Sequence, residues 1–318
     1  MYPIKLKPVF KDYIWGGTKL KNNYGKISDL PKIAESWELV CNKDEQSIVA
    51  NGSLLGLTLS QVIQKWGPDC LGENCRQFEY FPIMIKLIDS NKQLSIQVHP
   101  DDEYARKKAG EYGKTEMWYI AEADDNASII YGFNKEITKD EVKQRLKDNT
   151  LTDVLNIIPV KKGDSFMVNA GMVHAIGKGI VVAEIQQNSN ITYRLFDYNR
   201  KDANGNLREL HVEDALNVLT FDKSTSPAFA PTTDFTGYTV SQLTKCKYFT
   251  VEKYETNSGV GLCTGKESFH AVTILEGNGY LEQGNDKYEF VKGDTIFIPA
   301  LLGDYALNGS CTFLLSRC

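Results

Sequence analysis

KGDSFMV at residues 162–168 returns as KGDTIFI at residues 292–298, an offset of 130 residues. In each copy a Gly-Asp turn feeds a short alternating strand. The segment leading into the second copy, ILEGNGYLEQGNDKYEFV at 274–291, reads as a β-hairpin closed at its Gly-Asn-Asp turn. Self-similarity at a fixed offset marks a duplicated unit. The surrounding chain is dominated by short runs rich in Val, Ile, Tyr and Phe between Gly, Asn and Asp: SIIYGF, GIVVAEIQQ, YFTVEKYE, HAVTILEGNGYL and TFLLS. The expected fold is therefore mainly β, with two related β-barrels. Carrying the offset onward sets His174 opposite Asp304, so one histidine has no counterpart and the second copy is expected to be structural.

Helices are few. Thr58 with Gln61 makes a capping box before Leu59, Val62, Ile63 and Trp66 at helical spacing. Thr138 with Glu141 makes another before EVKQRLKDN, and LTDVLNII at 151–158 reads as a second helical piece. These two pieces predict a small helical insertion near residues 137–158. The division that follows is a first barrel over 1–230 with N-terminal strands and that insertion, and a second over 231–318.

Composition excludes several functions. A formal charge of −5 with no Lys/Arg cluster argues against nucleic acid as the main partner, while a small phosphorylated ligand needs only a few local cations. No apolar run approaches the roughly 18 residues that span a bilayer, and the N-terminus lacks an apolar signal core, so the reading is a cytoplasmic protein without membrane contact. Seven cysteines with no C-x-x-C spacing indicate neither a disulfide framework nor a thiolate zinc site.

The chemistry concentrates at LSIQVHPDD, residues 94–102. Strand alternation puts Ser95, Gln97 and His99 on one face. Glu116 follows on the next strand in GKTEMWYI, and His174 lies in GMVHAIG. The chain has four histidines, and two fall in this pattern. Two imidazoles, a carboxylate and an amide suit one Zn²⁺ per chain with an open position, Gln97 serving either as ligand or as the orienter of a neighbouring side chain. Lys86, in the apolar strand IMIKLID, is costly to bury unless it meets an anion. His211 and His270 have no second ligand at metal spacing and read as structural, and Trp37 and Trp118 read as core.

With YIWGG (13–17), ESWEL (35–39), IMIKLID (83–89), LSIQVHPDD, GKTEMWYI, GMVHAIG and EIQQNSNITYRLFDY (184–198), the chain resembles the cupins, and among them the type I mannose-6-phosphate isomerases in their short bacterial form. The resemblance covers roughly residues 13–200, and the second KGD segment extends it toward the C-terminus. Two departures stand out: Ala170-Gly171 where many cupins have Pro-x-Gly, and no room for the large helical domain of longer relatives. The resemblance implies jelly-roll barrels, a zinc site at Gln97, His99, Glu116 and His174, and interconversion of mannose 6-phosphate and fructose 6-phosphate through an enediol. It further implies catalytic roles for Arg194 and Lys114 and substrate contacts for Lys86, Ser95 and Glu184. Arg194 alternatively pairs with Asp197 or Glu184. The proton-transfer base stays open among a metal-bound hydroxide, Glu184 and a neutral Lys114. Two other functions compete, an Fe(II) oxygenase built on the same two-histidine, one-carboxylate set and a sugar-binding cupin without catalysis. The sequence leaves the oligomeric state open.

Overall fold

Odd and even positions of IMIKLIDS go to different neighbours, and this alternation organises the molecule. The computed structural model describes residues 1–201, 205–224 and 231–318; the boundary expected at 230/231 falls at the edge of a segment outside them. Strand Ile83–Ser90 lies inside a six-stranded antiparallel sheet, in the order Ser165–Val168, Glu116–Ala123, Ile180–Gln187, Ile83–Ser90, Glu35–Leu39, Val9–Lys11. Ile83, Ile85, Leu87, Met117, Tyr119, Val181, Ala183 and Ile185 face a core shared with Phe249, Ala271, Phe297 and Leu314. Ile88, Trp118, Ile120, Ile180 and Val182 face a second core shared with Ile129, Tyr131 and Ile176. A strand buried on both faces has no polar side, which is why this segment reads as a near-continuous apolar run.

The second core is closed by a five-stranded sheet, in the order Tyr193–Phe196, Ile96–Val98, His174–Ile176, Ser128–Phe133, Leu155–Pro159. Its outer face, with Ile96, Val98, Ala175 and Leu195, is covered by Val142, Leu151, Val154, Ala215 and Leu216 from helical segments. A ten-stranded sheet built chiefly from residues 232–317 closes the first core, and the N-terminal strand Ile4–Lys7 joins it by pairing with Thr295–Ile298. The protein is mainly β, as expected. The barrels are a different matter: the strands form three sheets, and no closed barrel is found among the described residues.

The repeat is visible in hydrogen bonds. Asp164 Oδ2 accepts from Lys161 N at 2.9 Å and Asp294 Oδ2 from Val291 N at 2.8 Å. The glycines between them have φ of 98° and 93°, a turn conformation glycine adopts without steric cost. Val168 pairs with Glu116 in one copy and Ile298 with His270 in the other. His270 thus holds the register position of Glu116. The expected hairpin is present, with His270–Gln283 turning at Gly284 into Asp286–Val291.

The helix Leu59–Trp66 carries the expected reciprocal capping box, and Thr138 caps Lys139–Lys147. LTDVLNII is only half helical: Leu151–Val154 forms one 3₁₀ turn, while Leu155–Pro159 is an edge strand paired with Ser128–Phe133. The strand character of Leu155–Pro159 comes from its pairing with Ser128–Phe133 and has no clear period in the burial of its side chains.

Candidate metal centre and the cavity above it

Two rows of cross-strand neighbours face each other between the six- and five-stranded sheets. On one sheet Trp118 pairs with Glu184, Glu184 with Lys86 and Lys86 with Trp37. On the other Arg194 pairs with Gln97, Gln97 with His174 and His174 with Tyr131. His99 follows the end of Ile96–Val98, its carbonyl accepting from Gly171 N at 2.9 Å, so the two histidine segments are tied through the backbone. Asp101, two residues on, caps helix Asp102–Ala109 by accepting from Tyr104 N. Lys114 N donates to Pro100 O, which sets the loop before Glu116 against the loop after His99.

His99, Glu116 and His174 converge, with one ligand atom from each within 4.8 Å of the others. The two Nε2 atoms are 3.1 Å apart, and Glu116 oxygens lie 3.4 Å from His99 Nε2 and 3.5 Å from His174 Nε2. Each Nδ1 donates to a carbonyl, that of Ile191 for His99 (2.9 Å) and of Met172 for His174 (2.8 Å). A carbonyl only accepts, so both rings carry their proton on Nδ1 and aim an Nε2 lone pair at the same point. Burial, then Lys114, pulls the His99 pKa down to about 3, and burial lowers that of His174. Burial alone would raise the Glu116 pKa, but Lys114, His99 and His174 hold it well below the usual carboxylate range. Two facing lone pairs beside a carboxylate whose Oε1 has no hydrogen-bond partner form a cradle suited to a cation, on one side of which the Lys114 ammonium already sits, 3.0 Å from His99 Nε2.

Gln97 directs its Nε2 at His174 Nε2, 3.4 Å away, which is the orienting arrangement; turning the amide presents its oxygen to the same point. Lys114 Nζ lies 3.0 Å from His99 Nε2, in contact with Glu116 Oε2, and 3.6 Å from Glu184 Oε1. The anion expected beside Lys86 is supplied by the protein, since Glu35 and Glu184 lie 3.6 and 3.7 Å from its Nζ. Burial lowers the Lys86 pKa, but those carboxylates outweigh it and raise it. Burial and the Glu116 charge raise that of Glu184.

These groups open onto a cavity of about 360 Å³ whose lining includes Lys86, Ser95, Gln97, Lys114, Glu184 and Arg194. Arg194 makes neither expected ion pair. Its Nε donates to Ser95 Oγ (3.3 Å) and its Nη1 to Glu209 O (2.7 Å), while Asp197 pairs with Arg200 and Arg208. His211 supports the arginine by donating its backbone N–H to Arg194 O and accepting from Arg194 N at its ring Nδ1, and His270 bonds Tyr305 at 2.8 Å, away from the centre.

The sequence reading missed several lining residues: Glu35, Trp37, Asn190, Thr192 and Arg208. Trp37 is buried but borders the cavity, and Trp118, a core residue, also donates its indole N–H to Glu184 Oε2 at 2.9 Å. Glu35 alternates onto the face of Trp37 two residues away, a signal present in ESWEL. Nothing local in the sequence marks Arg208, which reaches the cavity from a loop.

A mainly β protein with an imidazole–carboxylate cradle between its sheets is the arrangement of a cupin-type metalloprotein. Residues 4–118 match the family of phosphomannose isomerase type I catalytic domains, and residues 239–318 the mannose-6-phosphate isomerase cupin domain. The mannose-6-phosphate isomerase ManA of Bacillus subtilis is 38% identical over 99% of this chain and 98% of its own. The mannose-6-phosphate isomerase of Streptococcus mutans is 34% identical, with the same coverage. The crystal structure of the Bacillus subtilis mannose 6-phosphate isomerase superposes with a TM-score of 0.92 at 36% identity, covering 100% of both chains. The chain belongs to the type I mannose-6-phosphate isomerase family.

Proposed function

We propose that this protein interconverts mannose 6-phosphate and fructose 6-phosphate, with Zn²⁺ held by His99, Glu116 and His174 and with Gln97 orienting His174 or completing the set. The observation that carries this is the convergence of two imidazole lone pairs and an unpartnered carboxylate oxygen in contact with Lys114 and Gln97, which themselves line a cavity with Lys86, Glu184 and Arg194. Bound there, zinc supplies Lewis acidity toward the oxygen that becomes anionic as an enediol forms. The rest falls to the side chains. Glu184, whose pKa burial raises, is placed to carry a proton between the two sugar carbons, with Trp118 fixing one oxygen and Lys86 and Lys114 beside the other. Lys114 sets a positive charge between the metal ligands and Glu184. Arg194, fixed by Ser95 and Glu209, offers the guanidinium edge that those bonds leave over to the phosphate or the enediolate.

The two-barrel description is kept as a reading of the duplicated KGD turn, with residues 1–230 as the catalytic unit and 231–318 as a structural one in a cytoplasmic enzyme. Fructose 6-phosphate is incubated with the purified protein before chelation, after chelation and after zinc is restored. Mannose 6-phosphate formation that is lost and then regained supports the proposal. No conversion by folded, zinc-loaded protein overturns it.

A further inference from the structure

The cavity carries more positive charge on its solvent side than its neighbours balance. Three guanidiniums, Arg194, Arg200 and Arg208, surround one buried carboxylate among the described residues, Asp197. Glu209 is a weak counterweight: it gives Arg194 its backbone carbonyl, while its side chain is 83% exposed beside His211. Arg200 is spent on Asp197 and the Gln93 carbonyl and lies over the Tyr198 ring. Arg208 is not: its one ion pair among the described residues is a shared contact with Asp197 at 3.4 Å, and it lines the cavity together with Arg194. Burial and the charge of Arg208 both work against protonation of Arg194, and Asp197 and Glu209 offset them only in part, so the two guanidiniums meet as like charges that the neighbouring carboxylates do not fully balance.

Position agrees with charge. The metal cradle is 0–1% exposed, whereas the Arg208 side chain is 22% exposed, which places it toward the opening. Arg194 reaches Ser95, one same-face step of about 7 Å along the strand from Gln97. A ligand with its reacting carbons at the cradle and a doubly charged group several bonds away puts that group beside the two arginines. A phosphate monoester carries about −1.5 to −2 charges at neutral pH and accepts paired guanidinium bonds.

We propose that Arg208 grips the phosphate of the sugar and is the residue through which phosphorylated sugars are taken in preference to free ones. This rests on the isomerase reading and adds a residue to it. Arg208→Gln and Arg208→Lys are compared with wild type in the zinc-loaded enzyme, with zinc content and circular dichroism as controls for folding. A charge-assisted bond is commonly equivalent to roughly a 10- to 150-fold change. The expected result is a KM for fructose 6-phosphate raised at least about 10-fold in Arg208→Gln, with kcat falling less than KM rises and Arg208→Lys intermediate. Calorimetric titration with inorganic phosphate should show the same loss without turnover. An unchanged KM and unchanged phosphate affinity in a folded Arg208→Gln protein overturn the assignment. A wild type without isomerase activity overturns the isomerase reading instead, and the phosphate titration then decides the role of Arg208 by itself.

Discussion

His270 occupies the register position of the metal-cradle glutamate, and the structure makes it a neutral, buried base. Its Nδ1 lies 2.8 Å from Tyr305 Oη, it is 9% exposed, and burial followed by the charge of Arg317 lowers its pKa from 6.5 to about 4. The unfolded chain takes up a proton at this side chain near pH 6.5, whereas the folded chain does so only near pH 4. Stability from neutral His270 is therefore complete above pH 6.5 and is lost as pH falls toward 4. A gap of that size corresponds to about 3 kcal/mol in total, of which about 2 kcal/mol is gone by pH 5. Glutamine at 270 cannot titrate. Urea unfolding of wild type and His270→Gln at pH 7.5 and pH 5, both in chelator, isolates the effect, because every other titrating group is common to the two proteins. The variant should lose about 2 kcal/mol less than wild type between the two pH values. Equal losses would refute the claim that burial keeps this histidine neutral.

Three other perturbations test the site and its frame. Glu116→Gln and His99→Ala should lose bound zinc and activity together by elemental analysis and assay, whereas Arg194→Ala should keep zinc and lose about 10²- to 10³-fold in kcat; near wild-type turnover would remove Arg194 from the chemistry. Lys26→Met strands buried Glu38, whose partners are Lys26 and Ser36 at 2.6 Å, and should cost about 3–5 kcal/mol by denaturant unfolding. Adding Glu38→Leu should recover much of that loss, and no recovery would show that the pair matters through packing alone. Gly163→Ala and Gly293→Ala change the same turn in the two copies. Open space surrounds the first, while a Cβ on the second meets the Tyr24 carbonyl. The second should therefore be more destabilising by at least about 1 kcal/mol, and equal thermal shifts would contradict the packing argument.

The convergence of His99, Glu116 and His174 was readable because strand alternation is a strict rule. Gln97 and His99 had to share a face, and GKTEMWYI and GMVHAIG had the strand character needed to bring Glu116 and His174 beside them. The duplicated turn was legible for the same reason, a local Gly-Asp geometry written in sequence. Closure was not legible. Whether strands curl into a barrel or stack as sheets depends on which edges pair, and Ile4–Lys7 pairs with a strand nearly 300 residues away. The partners of Arg194 were missed because both expected acids were near in sequence or in chemistry, whereas the actual acceptors are a serine hydroxyl and a backbone carbonyl. A carbonyl has no sequence signature. Leu155–Ile158 reads as helix in the sequence because this apolar run is too short for its period to be told from the preceding helical one.

Charge explains why the chemistry sits in the first copy. Glu35, Lys86, Glu184, Lys114 and Glu116 alternate in sign across the inner face of the six-stranded sheet, each within 4 Å of the next. Three carboxylates and two ammonium groups leave one net negative charge beside two neutral imidazoles, in a site that excludes most water. Buried charge of this kind is costly unless paired, and a divalent cation at the cradle reverses its sign. The floor of the cavity then carries a positive charge, and with Arg194 and Arg208 on the solvent side both ends favour an anionic ligand. In the second copy the register position of Glu116 holds a neutral histidine bonded to a tyrosine, and the 130-residue offset sets Asp304 opposite His174. That copy packs Val272, Ile274, Phe290 and Phe313 in an apolar core of its own without any ion, while Phe249, Ala271, Phe297 and Leu314 pack against the six-stranded sheet.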